Sequence, residues 1–455
     1  MNFAFAMFSN VKFNDDRYAA YRLGLITKYD DKDTISMNCY KGMDIVPGHK
    51  IVRNDVSHNI PCCQTMAVDS KGLDYVQIVA GDYSGVILPI LKAENGTDQY
   101  TFAIDFGTTN THIEYSVNGE PSAPFNINEN DVQMQHLGNY DLIREYIYDA
   151  DFLPRFIGTD KCEFKFPIRT VLSAAKNTNW TQRVVPMGHT NIPMTYERRS
   201  EYIYNRTLTN LKWSNDPDNV NRIQSYIESL FLMIRNKVIL NNGNVQATKI
   251  IWFYPISMTR NRYVLFKEQW EAAYRKYFSD RVENITSMTE SVAPYEFFKG
   301  QYGTANIVSI DIGGGTSDVV IADRGAVQYV TSFRFAANSI FGDAYANLGG
   351  SVQNGMVKQF IGKIKDSLAQ NNMVDLLKFI QSLEERNDSS DLASFFFSLH
   401  KNKKIEEKGF NDDVNYHRLL QLDENQKIVF LLFYSALIYH VAKLMKAKDL
   451  QMPRF

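Results

Sequence analysis

The chain has 455 residues, an apolar share of 44% and a net charge of −2, enough for two or three domains with sizeable cores. That balance excludes a dedicated nucleic-acid binder, which carries a basic excess, and the longest basic run, KNKK (Lys401 to Lys404), reads as a solvated loop. Cys39, Cys62, Cys63 and Cys162 form no CxxC pair and have no histidine at ligand spacing, which excludes a zinc site and a disulfide framework and suits reduced thiols in the cytoplasm. Residues 1 to 97 read as β-rich, beginning at MNFAFAMFSN, which lacks the basic start of a secretory signal. Within them YVQIVAGDYSGVILPIL (Tyr75 to Leu91) predicts two strands around a Gly-Asp turn, while KYDDKD and VPGHK read as loops. KAENGTDQ (Lys92 to Gln99) is polar and reads as a domain boundary.

From Tyr100 the pattern becomes hairpin, loop-rich segment and helix. Ile223, Tyr226, Ile227, Leu230, Phe231, Ile234 and Val238 recur at helical spacing and predict a helix over Asn221 to Leu240. KIIWFYP (Lys249 to Pro255) predicts a buried strand closed by proline, and Arg260 to Phe278 predicts a helix. A second apolar meander begins at Asn306, and after Gly342 the chain turns mainly helical, with a break at ERNDSSD (Glu385 to Asp391). IVFLLFYSALIYHVA (Ile428 to Ala442) is shorter than the ~20 residues of a membrane crossing and predicts a buried core helix, with no membrane insertion. The strand–hairpin–helix layout occurs twice, which predicts an α/β protein built from two similar halves.

Two turns concentrate the chemistry. In YTFAIDFGTTNTHIEYSV (Tyr100 to Val117), Asp105 ends one strand and Gly107, Thr108, Thr109 and Asn110 lead into the next. A plain hairpin has no use for so many hydroxyls at its turn. In IDIGGGTSDVVI (Ile310 to Ile321), Asp311 is followed by Gly313, Gly314, Gly315 and Thr316. Glycine lets a ligand approach the backbone, and successive N–H groups in such a turn attract an anion. An aspartate at each turn suits Mg²⁺, which prefers few carboxylates, retained waters and phosphate oxygens. Asp318, just past the second turn, reads as a residue that hydrogen-bonds the turn's backbone.

AIDFGTTNT and SIDIGGGTSDVVI resemble the phosphate-1 and phosphate-2 motifs of the superfamily of actin, heat-shock chaperone ATPases and sugar kinases. DnaK-type chaperones and MreB-type bacterial actins are the most similar members. Two further segments fall in family order. ITSMTESVAPYEFF (Ile285 to Phe298) resembles the connecting segment whose glutamate orients the attacking water, which implies that role for Glu290. NSIFGDAYANL (Asn338 to Leu348) resembles the Gly-Asp turn near the nucleotide, which implies Gly342 and Asp343 there. Chaperones of this kind also use a lysine near the γ-phosphate, for which Lys176 is a candidate.

The resemblance implies a two-lobed actin-like ATPase with duplicated ribonuclease H-like domains, preceded by a small β-rich domain. Its parts would be residues 1–97, a first lobe at 98–300, and a second lobe at 301–455 carrying a helical insertion at about 350–425. The family's adenosine motif does not occur in the sequence, so the second lobe is expected to lack its last strand. The implied cofactors are ATP and Mg²⁺, with Asp105, Glu290 and Asp311 catalytic and Asp105 and Asp311 holding the metal through water. The implied activity is that of an ATP-hydrolysing conformational switch, with a filament-forming actin or a small-molecule kinase as alternatives. A protein partner or self-assembly is expected.

Overall fold

The computed structural model describes residues 3–13, 19–27, 35–52, 62–69, 72–92, 96–138, 153–159, 164–175, 178–182, 184–194, 205–302, 306–342, 354–385 and 389–450. It divides into two compact units, Met1–Phe253 with Arg260–Ser287, and Tyr254–Thr259 with Met288–Phe455. The protein is mixed α/β, with its strands spread over several sheets.

In the first unit, one antiparallel sheet runs in the order Met134–Gly138, Ala4–Phe8, Tyr21–Thr27, Cys62–Val68, His49–Val52. A second runs Asp44–Val46, Ile35–Lys41, Tyr75–Ala80, Tyr83–Ile87. Alternate residues of these strands, among them Phe5, Met7, Leu23, Ile35, Met37 and Val76, form one apolar core. The Gly81-Asp82 turn falls where the sequence predicts it, with Gly81 at φ +56°. VPGHK is not the loop expected of it: Val46 ends one strand and His49 begins the next, leaving only Pro47 and Gly48 between strands. KYDDKD lies outside the described residues.

The principal sheet of the first unit has the order Ala123–Pro124, Asn110–Val117, Tyr100–Phe106, Lys249–Tyr254, Ile285–Thr289, with Ile168–Arg169 also paired to Asn110–Val117. Tyr100–Phe106 is antiparallel to Asn110–Val117 and parallel to Lys249–Tyr254. The expected helix extends over Asn219–Leu240 and is buried along nearly its whole length. It meets the sheet at Tyr226 against Phe106, and Phe231 meets Trp270 of the helix Arg260–Tyr277 at 5.5 Å between rings. Aromatic burial of this kind supplies much of a core's apolar area.

In the second unit, Ile307–Ile312, Ser317–Asp323 and Ala326–Phe333 form an antiparallel meander. The helix Val292–Tyr302 covers one side through Tyr295, which packs with Val320 and Ala322 and donates to the Gly325 carbonyl at 2.8 Å. Val441 and Met445 of the helix Glu424–Ala447 pack with Val319 and Ile321. The helices between bury Phe379, Phe395, Phe396 and Tyr416 around one another.

The run at Ile428 to Ala442 is helical, but it is not the buried core helix expected of it. Its helix has 24 residues, with Phe433, Leu437, Val441 and Met445 buried along one stripe. Ile428, Leu431, Leu432, Ile438 and Tyr439 are each more than half exposed. Uniform hydrophobicity in sequence cannot distinguish one buried stripe from burial all round. By length and composition this is the one helix among the described residues that could cross a membrane.

Candidate functional site

In the first turn, Asp105 is exposed one residue before the buried Phe106 that ends the strand. A Cβ on Gly107 would lie 2.4 Å from the Asn110 carbonyl oxygen, so the tight loop over Gly107 to Asn110 requires glycine there. The loop is fastened from several sides. Trp213 donates its indole N–H to the Thr108 hydroxyl at 2.9 Å, and the Thr170 amide donates to the Thr109 carbonyl at 2.8 Å. Beneath it the Thr111 hydroxyl lies 2.9 Å from that of Thr170 and accepts from Tyr226 at 2.9 Å. Burial pushes the Tyr226 phenol well above its ordinary range, so it stays protonated and remains a donor.

The second turn repeats the plan. Asp311 is exposed one residue before Ile312 ends the strand, and it stands opposite Asp318 in the ladder. The Gly313 amide donates to the Thr316 carbonyl at 2.9 Å, and a Cβ on Gly313 would lie 3.2 Å from that same oxygen. In both turns, then, the glycine two residues after the acid closes on the carbonyl of the last loop residue. Thr316, Ser317 and Asp318 are buried, and Ser317 donates to the Phe335 carbonyl at 2.6 Å. Gly314 and Gly315 are half-buried.

Two other predicted elements converge on this second turn. The Ala337 and Asn338 amides donate to the Gly313 and Gly314 carbonyls at 3.1 and 2.8 Å, which seats the short helix Asn338–Phe341 on the turn. Gly342 ends that helix, and its carbonyl accepts from the Asn354 side chain at 2.8 Å. Glu290 is half-buried, with its amide bonded to the Tyr254 carbonyl at 2.9 Å. Its neighbour Ser291 is buried and donates to Asp318 Oδ1 at 3.2 Å, tying the Glu290 segment to the turn. Asp318 therefore serves the connecting segment through its side chain. Asp343 and Lys176 lie outside the described residues.

Sequence reasoning missed Trp213, Thr170 and Tyr226 as supports of the first turn, and it missed Arg169, which stands opposite Asn110 in the ladder. These residues are 57 or more positions from their partners where the bonds are direct, as for Tyr226 and Arg169. No local pattern marks a partner at such a distance. Among the described residues no group of His, Cys, Asp and Glu forms a ready metal cage.

No protein-family model and no curated protein matches the chain. Among solved structures, MreB5 of Spiroplasma citri bound to ADP is similar at 13% identity and TM-score 0.30, covering 53% of this chain and 54% of that one. The same MreB5 bound to AMPPNP matches equally. An exopolyphosphatase from Cytophaga hutchinsonii is similar at 11% identity and TM-score 0.26, covering 71% of this chain and 88% of that one. The chain thus spans about half the length of the MreB5 structures. These likenesses are distant, and the functional reading rests on the chain's own two turns.

Proposed function

We propose that the protein binds ATP with Mg²⁺ and hydrolyses it, acting as a conformational switch of the heat-shock chaperone and actin kind. One observation carries this reading: the same acid–x–glycine turn occurs in both units, each closed on the carbonyl of its last loop residue. Phosphoryl transfer asks mainly for positioning and charge stabilisation, which such turns supply. Backbone amides of each loop, with the hydroxyls of Thr108 and Thr109 and the amide of Asn110 at the first, would hold phosphate oxygens. Gly107, Gly313, Gly314 and Gly315 would give the backbone its close approach, and Thr316 would add its hydroxyl. The carboxylate at each turn, Asp105 or Asp311, would accept hydrogen bonds from water around a bound Mg²⁺, whose charge offsets that of the phosphates. Glu290 would orient the attacking water, and Gly342 would border the nucleoside.

The test is the double variant Asp105→Ala, Asp311→Ala, measured for Mg·ATP binding by equilibrium dialysis and for phosphate release. Both are expected to fall to background. Undiminished binding and turnover in that variant would overthrow the reading.

The filament-forming alternative draws on a separate observation, the exposed apolar stripe of Leu431, Leu432 and Ile438 on the helix Glu424–Ala447. Exposed patches of this kind mark association surfaces. ATP-dependent pelleting, absent with ADP, would favour a filament over a monomeric switch.

A further inference from the structure

The ladder around the first turn places one cation that the sequence does not announce. Directly opposite residues of an antiparallel pair share a face, and so do alternate residues of one strand. Asp105 stands opposite His112, His112 shares its face with Asn110, and Asn110 stands opposite Arg169. Arg169 therefore lies on the same face of the sheet as Asp105, at the mouth of the loop Gly107 to Asn110. The short strand Ile168–Arg169 is held there firmly. The Arg169 carbonyl accepts from the buried Tyr226 hydroxyl at 3.2 Å, and the next residue, Thr170, bonds both Thr109 and Thr111. Arg169 itself is half-buried, so its guanidinium acts in a partly desolvated setting, where charge-assisted hydrogen bonds are strong.

We propose that Arg169 is the cation that meets the phosphates of the nucleotide at the first turn. The inference rests on the ATP-binding reading of that turn and names a residue for it. A guanidinium is always charged and offers a planar fork of donors matched to phosphate oxygens, so it suits this post better than a flexible ammonium. Its contribution should grow with the number of phosphates, whereas a structural role would affect all nucleotides alike.

The experiment compares dissociation constants for Mg·ATP and AMP in the full chain, in Arg169→Ala, in Arg169→Lys and in Arg155→Ala, which removes an exposed arginine elsewhere in the same unit. Arg169→Ala is expected to weaken Mg·ATP about tenfold or more while changing AMP much less, and to flatten the salt dependence of ATP binding. Arg169→Lys should recover part of the loss, and Arg155→Ala should behave as the unaltered chain. Equal loss for ATP and AMP, or no loss, would overturn the proposal and leave the ATP reading standing. An unaltered chain that binds no Mg·ATP would overturn both.

Discussion

Trp213 donates its indole N–H to the hydroxyl of Thr108 at 2.9 Å, across more than a hundred residues of sequence. The bond fixes the Thr108 rotamer in a loop that would otherwise leave it free to turn. Arg262 in turn stacks over the Trp213 ring at 5.9 Å and donates to the Lys212 carbonyl at 2.7 Å, so the indole is itself held. Replacing Trp213 by Phe keeps the stacking surface and removes only the donor. A neutral hydrogen bond is worth about 0.5–1.5 kcal/mol net, which corresponds to a rise of roughly two- to twelvefold in the Mg·ATP dissociation constant. Titration of Trp213→Phe with a fluorescent ATP analogue checks this, and an unchanged constant would remove Thr108 from the phosphate site.

The two turn glycines should differ in how they tolerate a methyl group. At Gly107 the added Cβ would meet a backbone oxygen at 2.4 Å, a distance that only movement of the backbone can relieve. At Gly313 the corresponding approach is 3.2 Å, which a shift of a few tenths of an ångström accommodates. Gly107→Ala is therefore expected to destabilise by about 1–3 kcal/mol, as overpacking does, and Gly313→Ala by less. Urea denaturation of both variants measures the difference, and the reverse ranking would contradict the described loop geometry.

Both turns were legible because their chemistry is local: an acid, a glycine and a row of hydroxyls sit within six residues of one another. The long helix Asn219–Leu240 was legible for the same reason, since its apolar spacing is periodic. The supports of the turns were not legible. Tyr226, Thr170 and Arg169 reach the first loop only after the principal sheet has formed, and nothing near them in sequence points there. The helix Glu424–Ala447 misled for a different reason. Its hydrophobicity predicts helix and burial together, but the meander it packs on offers contacts for one stripe only.

Acid should weaken the fold through two histidines. Burial, followed by the nearby Arg155, lowers the His136 pKa below its ordinary 6.5. Burial, with Lys401 next, does the same for His400. A histidine whose folded pKa is depressed binds its proton more readily in the unfolded chain. The stability from its neutral form is therefore complete above about pH 6.5 and is lost as pH falls through that value toward the folded pKa. Melting temperatures between pH 7.5 and pH 5 should decline, and the decline should shrink in His136→Gln with His400→Gln. An identical slope in that double variant would show that other groups set the acid limit.

The helix Glu424–Ala447 supplies a contrast between two leucines of one element. Leu437 is 1% exposed and stands in the buried stripe with Phe433 and Val441, whereas Leu431 is 67% exposed. Leu437→Ala removes apolar area from a packed interior and leaves a cavity, at a cost of about 2–5 kcal/mol. Leu431→Ala removes side-chain atoms already in water and gains slightly in helix propensity, so stability should hold within about 0.5 kcal/mol. Thermal and denaturant unfolding of the two variants at low protein concentration measure this directly. If Leu431→Ala loses as much as Leu437→Ala, the outer stripe is covered in solution, and the loss should then vary with protein concentration where a second copy supplies the cover.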